Sequence, residues 1–517
     1  MAQSAARLRV GSFSIKGVTV FKPQDLQKQL ASLVNREIGS AELQDALDRI
    51  RQRYAAAGYL LTDVFFPKQS FSAAGGAVEI TVVEARVGAV RVELADGVPV
   101  SSTYINALFD RYLKPGALIT DRRLDAPLLV LRDVPGITAS ATVVPGAAAG
   151  TSDVIVKVAA RGRRWSVVAG ADNFGSRTVG EYRASVSANV DNLLQRGDSL
   201  AASVQAASQS GTLLYRLSYT LGLGASGGRL GLSLMRSEYS LGGAFASLGA
   251  SGTADVATLS WLQPLVRSRA SNLYVQAAVD AKRLTDDLGS SGLKPTRDVV
   301  TARVALIGNT SDPGVLGGGL TRYAVQATYG SLSIKDEQSL AADQSLFGAR
   351  ADGGFFKGNI DLQRIEFLTS RSSLLFTLSG QFTSRNLTAA EKLGLTGATA
   401  VRGLRMDAAS VVDEGVVGSL EYRYLMPFAP AATALQASLF YDYGVGKLDK
   451  QRDATTLAPL VSEPNQVSFD AVGLGVSAAL KDRFNAAFWA STPLREPVIR
   501  SEGDTSTRVW FSLQYSF

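Results

Sequence analysis

The chain has 517 residues, with 53 Lys and Arg against 46 Asp and Glu, a formal net charge of +7, and neither Cys nor His. The missing residue types exclude disulfides, cysteine nucleophiles, histidine-based triads and the common zinc sites, while carboxylate and lysine chemistry remain possible. Since the sequence shows no catalytic constellation of those residues, we expect no enzyme activity, no metal and no cofactor. The charges are scattered along the sequence, which argues against a nucleic-acid partner. No apolar run approaches the ~18 residues of a helical membrane span, whereas the mean hydropathy of +0.09 is compatible with alternating strands.

The first ten residues, MAQSAARLRV, lack the charged and apolar segments of a signal peptide. We interpret residues 1–6 as an N-terminal remnant and expect a chain that begins after signal cleavage. The stretch 7–85 then opens with the strand-like LRVGSFSIKG. It continues with the helical FKPQDLQKQLASLV and SAELQDALDRIRQRYAAAGY, and ends with the strand-like LLTDVFFP and AVEITVVEA.

The stretch 86–163 repeats this order of elements. It begins with the strand-like VGAVRVEL, continues with the helical SSTYINALFDRYLK and RRLDAPLLVLRDV, and ends with the strand-like ITASATVVPG and SDVIVKVAA. A repeat of roughly 75–80 residues indicates two copies of one small domain. The sequence therefore predicts two α+β domains, at 7–85 and 86–163.

Helical periodicity disappears after residue 163, and alternating stretches separated by Gly, Ser, Asn and Asp continue to the end of the chain. In LLYRLSYTLGL, residues 213–223, one face carries Leu and Tyr while the other carries mainly Arg, Ser and Thr. Such alternation fits a sandwich as well as a transmembrane barrel. The length favours the barrel, because about sixteen candidate strands of ~9–11 residues are too many for one sandwich. We therefore predict a transmembrane antiparallel β-barrel of about 16 strands at 164–517.

The last strand, TSTRVWFSLQYSF at 505–517, alternates to the final residue. Five side chains share the face that we expect to contact lipid: Phe517, Tyr515, Leu513, Phe511 and Val509. The opposite face should line the lumen with Ser516, Gln514, Ser512 and Arg508, with Trp510 among them. Tyr515 and Phe517 stand where an aromatic girdle at the membrane interface would lie.

A long loop interrupts the barrel pattern at about residues 385–414, and loops of this length are usually functional. On a following strand, three residues should face the lumen: Phe440, Asp442 and Gly444. If the loop folds inward, its Arg402 can pair with the Asp442 carboxylate in a bidentate manner. Glu421 on the adjacent strand is a second possible acceptor. The residues alone leave open that Asp442 is a hydrated lumen charge and Arg402 an ordinary loop arginine.

Two short motifs resemble those of the outer-membrane assembly and secretion superfamily. The segment VRGL, formed by Val401, Arg402, Gly403 and Leu404, resembles the VRG-aromatic motif in the inward-folded sixth extracellular loop of these barrels. Leu404 stands where the superfamily usually has an aromatic residue. FYDYG, with Phe440, Asp442 and Gly444, is similar to the Phe-x-Asp-x-Gly strand motif. The resemblance implies that Arg402 meets Asp442 inside the barrel.

Further stretches resemble two-partner secretion transporters of the TpsB type. ADNFGSRTVGEYRASVSANVDNLLQRGDSL is similar to their first barrel hairpin, with matching residues Asp172, Asn173, Gly175, Asp191 and Asn192. RDVPGITASATVVPGAAAGTSDVIVKV resembles their second POTRA domain. These transporters usually begin with a plug helix, whereas the first strand here begins near Leu8. The resemblance also implies that Phe517 and Tyr515 form a C-terminal signal for barrel assembly.

This resemblance implies a bacterial outer-membrane pore with periplasmic POTRA domains. Such a pore captures an unfolded exoprotein, a TpsA-like adhesin, cytolysin or toxin, and secretes it without ATP. Outer-membrane lipid and the barrel assembly machinery are the other implied partners. One alternative is an assembly factor of the same superfamily, which two POTRA repeats disfavour. The other is a passive porin, which would not explain residues 7–163.

Overall fold

The structure is a computed structural model that describes residues 7–70, 76–98, 100–194, 196–289, 292, 294–314, 317–345, 348–405, 410–427, 433–451, 464–481, 483–495 and 506–517. The side chains of residue 210 and of residues 243–245 are not described. The N-terminal remnant predicted at residues 1–6 lies outside the described residues. The chain divides into two compact units, and the boundary falls between Arg161 and Gly162. Among the described residues, no helix combines the length and the apolar composition that crossing a bilayer requires.

The first domain contains β1 (Leu8–Lys16), α1 (Pro23–Gln29), β2 (Arg36–Ile38), α2 (Ser40–Ala56), β3 (Asp63–Phe65) and β4 (Gly76–Val83). Its sheet has the order β2-β1-β4-β3. The pattern did not predict β2, because three residues are too few to show a period of two. The predicted first helix is also shorter, since the α-helix ends at Gln29 and a 3₁₀ turn follows at Ala31–Leu33. The predicted strand LLTDVFFP is reduced to β3.

A buried carboxylate fastens the end of this domain. Glu84, directly after β4, accepts hydrogen bonds from the backbone N–H of Thr19 (2.8 Å) and of Val20 (2.9 Å), and from the Tyr54 hydroxyl (2.7 Å). Burial by itself raises the pKa of the Glu84 carboxyl, but these hydrogen bonds outweigh it and the pKa lies below its ordinary value. The pKa of Tyr54 is raised, by burial first and by its bond to Glu84 second.

This lowered pKa predicts a pH-dependent stability of the first unit. The contribution of ionised Glu84 should be complete above about pH 4.3, the pKa of an unfolded glutamate, and should be lost as the pH falls through the lower folded-state pKa. Glu84→Gln should lower the free energy of unfolding by about 1.5–3 kcal/mol at neutral pH, since bonds to a charged group are lost. Urea unfolding of residues 7–163 between pH 3 and 7 measures this. The prediction would be contradicted if the free energies of unfolding of the wild type and of Glu84→Gln fell by the same amount on acidification.

The second domain contains β5 (Arg86–Leu94), α3 (Ser102–Asp110), α4 (Asp121–Arg132), β6 (Ile137–Pro145) and β7 (Thr151–Ala160). Both helices begin at side-chain caps: the Ser101 hydroxyl accepts from the backbone N–H of Tyr104, and the Thr120 hydroxyl from that of Arg123. The sheet order is β5-β7-β6, with β5 parallel to β7 and β6 antiparallel to it. The two domains have separate cores, so each buries its own apolar residues.

Sixteen antiparallel strands close into a barrel, in which the last strand pairs with the first. They are β8 (Trp165–Asp172), β9 (Arg183–Asp191), β10 (Ser199–Ala207), β11 (Thr212–Leu223), β12 (Gly228–Ser240), β13 (Ser251–Arg267), β14 (Ser271–Asp287), β15 (Thr296–Asp312), β16 (Gly319–Ile334), β17 (Gly353–Phe367), β18 (Ser372–Thr383), β21 (Glu414–Leu425), β22 (Thr433–Lys447), β23 (Gln466–Leu480), β24 (Phe484–Pro493) and β25 (Arg508–Ser516). The number of strands predicted from the alternation is confirmed.

Apolar side chains collect on the outer face of the barrel wall, because the side chains of residues paired across neighbouring strands lie on the same face of the sheet. Leu217 of β11 faces Leu234 of β12, and both side chains are about half exposed. Ser218 faces Ser233 on the opposite side of the same wall, where their hydroxyls lie 3.0 Å apart. One helix was not predicted in this part of the chain, α5 (Glu337–Gln344), which follows β16. It contains no buried residue, so it lacks the apolar periodicity by which a helix is recognised in a sequence.

Candidate functional site

The long loop between β18 and β21 enters the barrel. It contains a 3₁₀ turn at Ala389–Glu391 and two short paired strands, β19 (Leu393–Gly394) and β20 (Val411–Val412). Residues of the loop are buried together with residues of β21 and β23, in a cluster formed by Leu395, Val401, Val412, Val417, Val467, Phe469 and Ala471. Because loop and wall share one apolar cluster, the loop is packed against the inner wall.

Arg402 lies at the centre of this loop and contacts both predicted acceptors. Its Nε donates to Asp442 Oδ2 at 2.9 Å and its Nη2 to Oδ1 at 2.8 Å, so the contact is bidentate. The backbone N–H of Arg402 also donates to Oδ2, at 3.1 Å. Nη1 donates to Glu421 Oε2 at 2.9 Å, and Nη2 to the Ser419 hydroxyl at 3.0 Å. The guanidinium therefore joins the loop to β21 and β22.

The ion pairs of Arg402 are buried, so water screens them less than it screens pairs at the surface. Asp442 is 0% exposed and Arg402 is 8% exposed. The guanidinium carbon lies 3.3 Å from the centroid of the buried Phe440 ring, so the cation stacks on an aromatic face. Arg423 donates to the second oxygen of Glu421 at 2.9 Å. The buried charges of Asp442, Glu421 and Arg402 thus neutralise one another, with the partly exposed Arg423 as a second cation at their edge.

The neighbours of Arg402 in the VRGL motif are also enclosed. Val401 is fully buried and Leu404 packs against the same apolar cluster. A Cβ atom on Gly403 would lie 2.6 Å from Ala471 Cβ and 2.9 Å from the backbone nitrogen of Pro493, so this position requires glycine. A Cβ atom on Gly444 would come within 3.2 Å of Val401. The two glycines allow the close approach of loop and wall.

Two contacts to the Arg402 backbone were not predicted. Its carbonyl oxygen accepts from the Ser491 hydroxyl at 2.6 Å and from the Trp510 indole N–H at 2.7 Å. These residues belong to β24 and β25, so Arg402 is hydrogen-bonded to four strands of the wall, two on each side of β23. The signal in the sequence was Trp510 itself, a large aromatic residue on the face of the last strand that was otherwise polar.

The predicted hairpin residues lie in two places. Asn173 joins β8 to β25: its side-chain nitrogen donates to Val509 O at 2.9 Å and its side-chain oxygen accepts from Phe511 N at 2.8 Å. Asp172 accepts from Arg183 Nε at 2.7 Å. Gly175 follows, where a Cβ atom would lie 1.9 Å from the Gly180 carbonyl oxygen. Asn173 therefore fastens the closure between β8 and β25, whereas Asp172 and Gly175 shape the connection from β8 to β9.

Asp191 and Asn192 lie at the opposite end of β9. Asp191 accepts from the Asn189 side chain at 2.8 Å, and Asn192 adopts a positive φ of 55° in the turn to β10. Asn192 is fully buried, and its backbone N–H donates to Asp198 O at 2.6 Å. This pair shapes a turn and does not contact Arg402.

The C-terminal aromatic residues lie on the outer wall. Tyr515 and Phe517 are partly exposed, and their rings meet edge to face with centroids 4.8 Å apart. The backbone N–H of Phe517 donates to Val167 O at 2.9 Å. Val509 is also exposed on this side, whereas Trp510 is buried on the other. The last strand therefore presents its two faces as its alternation predicts.

A closed sixteen-stranded barrel with an inward loop, preceded by small α+β domains, defines an outer-membrane transport protein of the assembly and secretion superfamily. The chain belongs to the haemolysin secretion/activation protein family ShlB/FhaC/HecB, whose family model matches residues 150–463. A ShlB-type POTRA domain model matches residues 8–85. The predicted resemblance is confirmed.

Individual proteins are similar to this chain in sequence or in fold. The chain is 26% identical over 88% of its length, and over 77% of the relative, to the heme/hemopexin transporter protein HuxB of Haemophilus influenzae. The fold is similar to that of CdiB from Escherichia coli, with a TM-score of 0.72, 17% identity, and coverage of 100% of this chain and 92% of the other. BamA from Haemophilus ducreyi, lacking POTRA domains 1–3, gives a TM-score of 0.58 at 14% identity, with 98% and 100% covered.

The family defines the place and the activity of the chain. It is a two-partner secretion transporter of the bacterial outer membrane, and its POTRA domains lie in the periplasm. Members of this family are transporters and secretion pores, and they transport TpsA-like exoproteins.

Proposed function

We propose that residues 7–163 capture the unfolded exoprotein and that the barrel lumen conducts it outward when the loop tip leaves Asp442. The observation that carries this proposal is the loop held inside the barrel by a buried Arg402, whose side chain and carbonyl oxygen bond to four wall strands. A segment packed across the lumen must move before a polypeptide can pass. Hydrogen-bonded charges suit a reversible contact, because wall carboxylates and guanidinium can be rehydrated when the loop leaves.

We further propose that this chain is a pore without catalytic activity of its own. Exoprotein folding outside the cell then supplies the direction of transport. Outer-membrane lipid covers the exposed apolar side chains of the wall. Tyr515 and Phe517, exposed together at the end of β25, are the residues that we expect the barrel assembly machinery to recognise.

The edge strand β6 is our candidate for the capture site. It stands at one end of the sheet order β5-β7-β6 and is nine residues long. Gly136 O accepts from Arg161 N, and this register pairs the even-numbered residues of β6 with β7. The backbone groups of Ala141 and Val143 therefore point away from β7, whereas the Ala139 carbonyl oxygen on the same side already accepts from Arg132 Nε at 2.8 Å. An extended exoprotein segment can add to such an edge as a further strand.

Ala141→Pro should weaken exoprotein binding at least ~10-fold, because it removes an outward N–H and adds a ring at the edge without breaking the ladder to β7. Binding of the amino-terminal region of the exoprotein to the full-length transporter in detergent, followed by biolayer interferometry, measures this.

Ala141→Ser is the matched control, since it keeps the N–H and a similar size, and it should bind as the wild type does. Equal binding by the Pro and Ser variants would reject β6 as the capture edge. Binding that persists after deletion of residues 7–163 would reject capture by the POTRA region as a whole.

A further inference from the structure

A second buried ion cluster holds the inward loop at a place that the VRGL motif does not include. The carboxylate of Glu391, 3% exposed, contacts the ammonium group of Lys282 on β14 and that of Lys357 on β17, the latter at 2.8 Å. The Glu391 carbonyl oxygen accepts from Lys357 at 3.0 Å and from Gln381 of β18 at 3.2 Å. One loop residue is therefore bound through side chain and backbone by three wall strands.

This cluster and the Arg402 site use different parts of the wall. Glu391 is bound by β14, β17 and β18, whereas Arg402 is bound by β21, β22, β24 and β25. Between these two loop residues lies Gly397, with a positive φ of 112° that favours glycine. The two contact sites have no wall strand in common, so breaking one does not by itself remove a partner of the other.

The end of the loop that leads into β21 is held close to the Glu391 cluster, through Asp413. Asp413 accepts from the backbone N–H of Leu387 at 3.0 Å and from that of Lys450 at 2.8 Å. Gln381 donates to Asp413 O at 3.0 Å as well as to Glu391 O. Both ends of the loop are therefore hydrogen-bonded near β18. The middle of the loop with Arg402, which we call the loop tip, lies between these two contacts in the chain.

We propose that Glu391, with Lys282 and Lys357, is a second anchor that positions the loop base and stays closed when the tip leaves Asp442. The loop then opens as a hinged segment whose tip swings away, and it does not leave the lumen as a whole. This inference deepens the proposed function, because it rests on a loop tip that is released during secretion. Glu391 is a positioning residue, and it acts through the loop.

The absence of cysteine from the chain makes a site-specific test direct. Single cysteines at Ala390 beside the anchor and at Thr399 near the tip, both exposed positions, carry spin labels in the full-length protein in detergent. Asp442→Asn should make the label at 399 mobile and leave the label at 390 unchanged. Glu391→Gln should mobilise the label at 390, and Lys357→Gln should do the same if Glu391→Gln does not fold.

The outcomes separate the anchor from the proposed gate. An unchanged spectrum at 390 in both the Glu391 and Lys357 variants would overturn the second anchor, as would mobilisation of both labels together by Asp442→Asn. If Glu391→Gln mobilises the label at 390 but Asp442→Asn leaves the mobility of the label at 399 unchanged, the second anchor is supported. The release of the loop tip, on which the proposed function rests, is then contradicted. Heat-dependent migration on gels confirms that each barrel is folded.

Discussion

Asp442→Asn is expected to abolish most exoprotein secretion while the barrel remains folded, because a loop that no longer docks on the wall cannot alternate between the closed and the conducting state. The substitution keeps the shape of the side chain but removes the charge that accepts three hydrogen bonds from Arg402. Removing one partner of a buried ion pair typically weakens the state that contains it by ~3–5 kcal/mol. In this protein the weakened state is the one in which the loop is docked on the wall. The barrel itself should remain folded, since Arg402 belongs to none of its sixteen strands. Secretion in cells and single-channel conductance in planar bilayers measure the effect, with conductance expected to rise.

Asp361→Asn is the matched control for this prediction. Asp361 is another lumen carboxylate, but its hydrogen bond comes from Ser379 on the neighbouring strand β18 and involves no loop residue. We expect its secretion and conductance to equal those of the wild type. Normal secretion by Asp442→Asn, or an equal loss in both variants, would contradict a specific role for the Arg402 contact.

Val325→Arg is expected to reduce the stability of the barrel by ~2–4 kcal/mol, the value for a charged side chain facing lipid near the bilayer midplane. Val325 lies near the middle of β16 and is 51% exposed. It faces Leu306 of β15 and Ile360 of β17, which are also exposed apolar residues. Urea unfolding in lipid vesicles, followed by tryptophan fluorescence, gives the free energy.

Gln326→Arg tests the same charge at the same depth on the other face of the wall. The Gln326 side chain donates to Thr328 inside the barrel, and an arginine there remains in water. Its free energy of unfolding should therefore stay within about 0.5 kcal/mol of the wild type. Equal destabilisation by the two substitutions would show that lipid does not cover the face of Val325.

The sequence was sufficient to propose the meeting of Arg402 and Asp442, and insufficient for the rest of their surroundings. Side-chain direction alternates along a strand, so Phe440, Asp442 and Gly444 could be directed to the lumen from their spacing alone. The resemblance to a known loop motif then supplied Arg402 as the partner. The contacts of its carbonyl oxygen with Ser491 and Trp510 depend on the position of the loop backbone, for which the sequence has no local signal.

The contacts of Glu391 could not be predicted from the sequence at all. Glu391 is separated from Lys282 by 109 positions, and no periodic pattern connects residues so far apart. A lysine on a lumen face, a glutamate in a long loop and a glutamine on a neighbouring strand are each ordinary in a wet barrel. Only the closure of the wall around the loop brings them together, and burial then makes their pairing necessary.

The sequence by itself determined the class of fold and the approximate number of barrel strands, and it assigned the lipid-facing side of those strands whose alternation is clear. These properties are local, because water and lipid act on every second residue independently of distant parts of the chain. Tertiary structure alone decided the path of the inward loop and its second anchor. It also decided the role of Asn173 in joining β8 to β25. Those contacts arise only after the first and last strands pair, since closure of the barrel defines which residues face one another across the lumen.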